Sequence, residues 1–407
     1  MKEKLRGHES YRMNCVNLIA SENCSSTYVR QVQCSDLMHR YSYWLGNNPR
    51  TRYYRGNRYI QEIELKSIEL AEKLFGADFV EIRAISGMTA NLGVLLGLTS
   101  PDDVVMECGR DVGGHRTASK LTTAKVVRLR VINYPVDSSR YNIDLEKTKQ
   151  IAYEHKPKLL TLGASIFLFP HPVREIKDIA EDIGAYVSYD ASHVLGLIAG
   201  KQFQQPLNEG ADIMLGSTHK TFAGPQGGII LSRNPEAFKR IKLCPNVVDS
   251  HHPHRIPGLL LALAEYREFG ESYAMQIIRN AKALGAALYD SGFDVLFKDL
   301  GFTESHTILV DVSRFGTGRA VAKDLEKIHI ILNAMEVPKD VIERRKEPTG
   351  LRIGVQEMTR FGMKEREMRE IAEFMRDALI EKKNPDRLAK EVIEFRKRFH
   401  TLHYCFR

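Results

Sequence analysis

From Ile60 to Phe75, apolar residues at 60, 63, 68, 71, 74 and 75 fall on one face of a helix, and Gly76 supplies a C-cap. The rhythm then changes. Short apolar runs, FVEIRAI (79–85), DDVVMEC (102–108), AKVVRLRVI (124–132), PKLLTLGA (157–164), AYVSYD (185–190) and DIMLGS (212–217), are interleaved with helical patterns at 86–98 and 173–184. Strands alternating with helices predict an α/β fold with a mainly parallel sheet covered on both faces. A long helix over 272–292 leads into a second pattern, in which strands FDVLF, HTILVDV and GLRIGV alternate with helices VAKDLEKIHI and EREMREIAEFMRDALI. This predicts a smaller α+β domain with its own core. The expected division is an N-terminal arm (1–45), a large domain (46–270), a small C-terminal domain (271–381) and a basic helical tail (382–407), whose Leu388, Val392, Ile393 and Phe395 form an apolar side.

Composition narrows the class without choosing a function. The 407 residues are 43% hydrophobic and 27% charged, ordinary for a globular protein of two domains. No apolar stretch reaches the roughly 18 residues of a membrane span, and MKEKLRGHESYR has no apolar signal core, so the expectation is a cytoplasmic protein. The six cysteines contain no CxxC pair and read as reduced thiols. The net charge of +8 is spread among nearly as many acids, so no nucleic-acid partner is expected. His251, His252 and His254 lack the acid or thiolate spacing that would complete a metal site, and no metal is expected.

The chemistry centres on GSTHKTFAGPQGG, Gly216 to Gly228, where Lys220 stands between an apolar strand and a glycine-rich turn. A partly desolvated lysine at a strand end suits Schiff-base formation. Thirty residues upstream, AYVSYDASH delivers Asp190 and then His193 at the end of another strand. A carboxylate for a pyridine nitrogen and an amine for an aldehyde are the two requirements of pyridoxal phosphate. Gly87, Met88 and Thr89 lie in a strand-to-helix turn whose small residues let a phosphate approach backbone N–H groups.

LIASEN (18–23), SGMTANL, GGH, YDASH, THKT, GPQGG and GLRIGVQEMTRFGMKE occur in that order from about residue 10 to residue 380. Together they resemble the serine hydroxymethyltransferase family, and HRY, FPHP and HKTFAGPQGG are similar to its archaeal members and to the related threonine transaldolases. The resemblance implies an aspartate-aminotransferase-like fold (fold type I) and pyridoxal 5'-phosphate as cofactor. It implies catalytic roles for Lys220, Asp190, His115 and Tyr54. His115 would stack on the cofactor ring, Ser165 and His193 would contact the ring and its phenolic oxygen, and Ser217 and His219 would flank the phosphate with Gly87, Met88 and Thr89. Ser21, Tyr41, Tyr53, Tyr54 and Arg352 would bind substrate, with Arg352 clamping a carboxylate. LIASEN would belong to an arm over a partner subunit, in a homodimer with shared active sites or a tetramer.

The chain departs from the family at two informative places. The tyrosine matching Tyr41 is followed, two residues on, by a glutamate in the folate-dependent enzymes; here that position is Tyr43, and no acid occurs between Asp36 and Glu62. Arg110 and Arg116 stand where apolar contacts to the pterin are usual. The retained residues suffice to break the Cα–Cβ bond of a β-hydroxy-α-amino acid and stabilise the glycine carbanion. The expectation is therefore an enzyme of the threonine aldolase or transaldolase type acting on an amino acid and an aldehyde. The alternative is a serine hydroxymethyltransferase using tetrahydrofolate or a modified pterin. A non-catalytic cofactor-binding or nucleic-acid-binding relic is the third reading.

Overall fold

The strand that ends at Asp190 and the one that ends at Ser217 lie side by side, and the rest of their sheet is built outward from them. The computed structural model describes residues 1–244 and 246–407, and the chain divides into two compact units. Ser25–Glu271 and Phe406–Arg407 form one, and Met1–Cys24 with Ser272–Cys405 form the other.

The larger unit holds a seven-stranded sheet. In chain order its strands are β1 (Phe79–Glu81), β2 (Val104–Glu107), β3 (Arg130–Asn133), β4 (Leu159–Leu162), β5 (Tyr186–Asp190), β6 (Ile213–Ser217) and β7 (Gly228–Ser232). Their spatial order is β1-β7-β6-β5-β4-β2-β3. Only β7 runs antiparallel to its neighbours. Every residue of β2, β6 and β7 is buried, as expected of strands covered on both faces. The expected strand at 124–132 is formed only from Arg130, because Thr117–Thr123 is helical and the chain turns after it.

One helix positions the site. Gly87–Leu98 follows β1 and packs across β5, β6 and β7, so it is apolar almost all round. Ser86 caps it: its Oγ accepts from Thr89 N at 3.1 Å, and Thr89 Oγ1 accepts from Ser86 N at 2.9 Å. The Arg58–Phe75 helix ends as its periodicity indicates, with Gly76 in the left-handed conformation at φ 63°.

The second unit has a four-stranded antiparallel sheet ordered Asp294–Val295, Thr307–Asp311, Gly350–Gly354, Asn333–Met335. Val16–Asn17 pairs in parallel with Ile330–Ile331, and Leu18 N donates to Ile331 O at 2.7 Å. LIASEN is thus tied down within its own chain, and Leu18 and Ala20 are fully buried. Residues 1–45, expected as one arm, divide between the two units after Cys24. The tail forms a helix, Pro385–Lys397, that buries Leu388, Val392 and Phe395 and leaves Ile393 half-buried. The helix expected from 272 begins earlier, at Arg255, and runs to Asp290.

Candidate active site

Parallel strands present their carboxyl ends to one side of a sheet, and that is where the large unit opens a cavity of about 220 Å³. It is lined by Ser86, Gly87, Met88, Asn91, His115, Ala164, Ser165, Asp190, Ser192, His193, Ser217, His219 and Lys220. Nine residues singled out from the sequence, Gly87, Met88, His115, Ser165, Asp190, His193, Ser217, His219 and Lys220, converge there.

Asp190 closes β5 and is half-buried. Its Oδ2 accepts from Asn91 Nδ2 at 2.8 Å, and its Oδ1 accepts from Ser192 N at 2.9 Å. The two donors hold the carboxylate in one orientation with its charge compensated. Asn91 is itself held by Gly87 O at 3.0 Å, so the helix that caps the cavity also aims the acid.

Lys220 lies three residues beyond the end of β6, and its Nζ donates to Ser217 Oγ at 3.1 Å. Ser217 is fixed in turn by Ser192, whose Oγ stands 3.1 Å from Ser217 N and 3.2 Å from Ser217 Oγ. The glycine-rich turn that follows permits a close backbone approach. Gly228 N donates to Ala84 O at 2.8 Å, and a Cβ at Gly228 would stand 2.4 Å from Ser86 O. Burial, followed by the charge of Lys220, lowers the His219 pKa to about 4, so this imidazole is neutral at physiological pH. Its Nδ1 is buried without a hydrogen-bond partner among the described residues, an orphaned polar atom of the kind a ligand satisfies. His115 is oriented by Thr117, whose Oγ1 lies 2.7 Å from Nδ1.

A phosphate-bearing aldehyde fits these residues. Gly87 leaves a cradle: a Cβ there would stand 2.5 Å from Ser217 Oγ and 2.8 Å from Ser192 Oγ. An amine, a carboxylate held by two donors, and a capped helix of twelve residues meet around one cavity.

The other singled-out residues lie elsewhere. Thr89 is not among the cavity-lining residues; its hydroxyl is spent on the helix cap. Tyr41, Tyr53 and Tyr54 pack with Tyr43 in one aromatic cluster, Tyr43 stacking on Tyr53 at 5.3 Å between ring centres and meeting Tyr54 edge-on at 5.4 Å. The loop that carries them is fastened through buried Glu64, which pairs with Arg52, accepts from Ser42 Oγ at 3.2 Å and contacts His251 Nε2 at 2.8 Å. Trp44 is enclosed by Arg83, 4.1 Å from its ring centre, and Arg52, at 5.3 Å.

Ser21 and Arg352 belong to the second unit. There Gly354 N donates to Leu18 O at 2.8 Å, and a Cβ at Gly354 would stand 2.4 Å from Ala20 Cα, so the end of the Arg352 strand abuts the stretch that carries Ser21. Burial lowers the Arg352 pKa to about 10, and Asn333 Oδ1 lies 3.2 Å from its Nη2.

Four lining residues, Ser86, Asn91, Ala164 and Ser192, were not singled out from the sequence, and of these Asn91 and Ser192 hold Asp190. Both had a signal: Asn91 is one turn after Gly87 on the same helix face, and Ser192 stands between Asp190 and His193.

Comparison with known proteins gives a consistent result. Residues 1–375 match the family model described as serine hydroxymethyltransferase. The chain is 47% identical over 410 residues to a serine hydroxymethyltransferase of Thermococcus onnurineus, covering 99% of this chain and 95% of that protein. It is 48% identical over 403 residues to one of Archaeoglobus fulgidus, covering 99% and 91%. Among solved structures, the crystal structure of L-threonine transaldolase from Pseudomonas fluorescens in its internal aldimine state matches with a TM-score of 0.90 at 28% identity, over 100% of this chain and 92% of that one.

Proposed function

The chain belongs to the serine hydroxymethyltransferase family, and from that premise we propose that it makes or breaks the Cα–Cβ bond of β-hydroxy-α-amino acids, in the manner of a threonine aldolase or transaldolase. It is a pyridoxal-phosphate-dependent enzyme of fold type I, which sets aside the non-catalytic reading. The cofactor, when bound, supplies the electron sink for the pair released at Cα.

This chain's residues supply the rest. Lys220 is the amine for the cofactor aldehyde, and Ser217 holds its Nζ in place. Asp190, fixed by Asn91 and Ser192, would keep a proton on the ring nitrogen. His115, oriented by Thr117, would cover the ring, with Ser165 and His193 against its other edges. Backbone N–H groups at Gly87 and Met88, with Ser217 and neutral His219, would receive the phosphate. Ser21 and Arg352 would hold the amino-acid carboxylate, Arg352 as a planar fork. Tyr41, Tyr53 and Tyr54 would complete the site of a second copy in a homodimer.

A single observation carries the preference for an aldol-type reaction: the tyrosine cluster occupies the loop where the folate-dependent enzymes place an acid, and residues 37–61 contain none. A one-carbon transfer that needs proton delivery from that loop has no carboxylate to provide it, and such groups typically contribute about 10²–10⁴ in rate. The second reading, a hydroxymethyltransferase using serine and a tetrahydropterin, is favoured by near-half identity to the archaeal relatives over almost the whole chain. The test is a direct comparison of turnover of threonine, with and without an acceptor aldehyde, against serine with tetrahydrofolate or a methanogen-type pterin. Threonine turnover at least equal to serine turnover, with Tyr43→Glu shifting the balance toward the pterin reaction, is the expected result. Efficient serine and pterin turnover with threonine a poor substrate would return the enzyme to the hydroxymethyltransferases.

A further inference from the structure

Arg116 sits between a cavity-lining histidine and the threonine that orients it. His115 lines the cavity, and Thr117 Oγ1 holds its Nδ1 at 2.7 Å. Closing that contact over a single intervening residue coincides with a left-handed turn at Arg116, φ 60° and ψ 48°, a conformation that glycine or asparagine adopts more readily than arginine. A long cationic side chain is therefore carried next in the chain to a cavity-lining residue, on backbone poorly suited to it.

Among the described residues no ion pair or side-chain hydrogen bond engages the Arg116 guanidinium, and its Nε is buried without a partner. One turn further on, Lys120 makes no ion pair among the described residues, and its backbone N–H donates to Arg116 O at 2.9 Å, so the two cations share a helix face. Burial first, and then the charge of Arg116, lower the Lys120 pKa. The acid whose field reaches Lys120 is Glu107, and its carboxylate is already engaged by Ala118 N at 2.9 Å and Ser119 N at 3.0 Å. Two like charges one helical turn apart, the first of them adjacent to His115 and the second exposed, with the neighbouring acid committed elsewhere, favour an anion.

We propose that Arg116 and Lys120 form an anion subsite at the His115 edge of the cavity, and that the carbonyl substrate handled there carries a carboxylate or a phosphate. This rests on the aldol-type reading and names its substrate class: an anionic aldehyde rather than a neutral one. Arg116 acts as a specificity-determining residue, since its planar fork matches either anion.

The test uses the holoenzyme with threonine as donor and three matched acceptors, benzaldehyde, 4-carboxybenzaldehyde and 4-formylphenyl phosphate. The wild type is expected to favour at least one anionic aldehyde by about tenfold or more in kcat/KM, mainly through KM, the scale of one charge-assisted contact. Whichever anion is preferred identifies the natural group. In Arg116→Leu that ratio should fall toward one, and in Lys120→Gln it should fall part of the way. Arg116→Gln serves where the leucine variant does not fold. Independently of turnover, calorimetric binding of terephthalate to the glycine-loaded holoenzyme should weaken about tenfold in the Arg116 variant and at high salt. Aldehyde turnover without charge preference, with no terephthalate binding, overturns the subsite and leaves the reaction reading standing. Terephthalate bound through Arg116 with no aldehyde consumed supports the subsite and overturns the reaction reading. A preference that survives Arg116→Leu and Arg116→Gln unchanged overturns the assignment to this residue.

Discussion

Asn91 and Asp190, 99 residues apart, meet at 2.8 Å, amide Nδ2 on carboxylate Oδ2. The contact ties the helix over the cavity to the strand end that carries the acid, and it decides which way the carboxylate points. A hydrogen bond to a charged group contributes roughly 1.5–3 kcal/mol. Asn91→Leu keeps the branched shape and removes the donor, so turnover or cofactor affinity should fall by roughly ten- to a hundredfold. Asp190→Asn should cost more turnover at little cost in unfolding midpoint. The check is steady-state turnover beside a fluorescence titration with pyridoxal phosphate; changes under about threefold in both for Asn91→Leu would remove it from the site.

Gly87→Ala should impair the cofactor site without unfolding the helix. Alanine is a good helix residue, but its Cβ would stand 2.5 Å from Ser217 Oγ and 2.8 Å from Ser192 Oγ. Both hydroxyls must rotate, which breaks the chain Ser192–Ser217–Lys220. Cofactor affinity is expected to drop about tenfold or more, with helical circular dichroism retained. Unchanged affinity would show that the cradle is not used.

Lys220→Ala should abolish covalent fixation of the cofactor by borohydride while leaving the fold intact. Paired with Tyr54→Phe, it also tests whether sites are shared. If the tyrosine loop serves a second copy, mixing two separately inactive variants should restore activity as hybrid dimers form. Verified subunit exchange with no recovery would argue for a self-contained site.

Glu357 provides a test in pH. Burial is the main cause that raises its pKa from 4.5 to about 7, while Asn17 Nδ2 donates to its Oε1 at 2.9 Å. The folded state therefore binds a proton more tightly than the unfolded state. Its contribution is most favourable below pH 4.5 and is lost as pH rises to about 7. Glu357→Gln can keep the Asn17 contact without titrating. Its gain in stability should grow from about 1 kcal/mol near pH 5 to roughly 3 kcal/mol near pH 8. Burial of His171 lowers its pKa from 6.5 to about 3, and the sign is opposite: that stability is present above pH 6.5 and lost as pH falls. Urea midpoints of wild type and variant at the two pH values decide it; a gain independent of pH would contradict the assignment.

The sequence alone determined the alternation of strands and helices, because most are written in a period of their own, and it placed Asp190 and Lys220 near strand ends because apolar runs stop just before them. It also exposed the loop without an acid, a fact of composition that needs no coordinates. Tertiary structure alone decided the strand order β1-β7-β6-β5-β4-β2-β3, the start of the long helix at Arg255, and the engagement of the Thr89 hydroxyl in the helix cap. It alone brought Asn91 to Asp190 and His251 to Glu64, and left Arg116 beside Lys120 with the nearby carboxylate committed elsewhere. The reason is range. Periodicity and caps report interactions across a turn or a strand, whereas hydrogen bonds that orient a catalytic carboxylate join residues whose proximity exists only once the sheet is assembled.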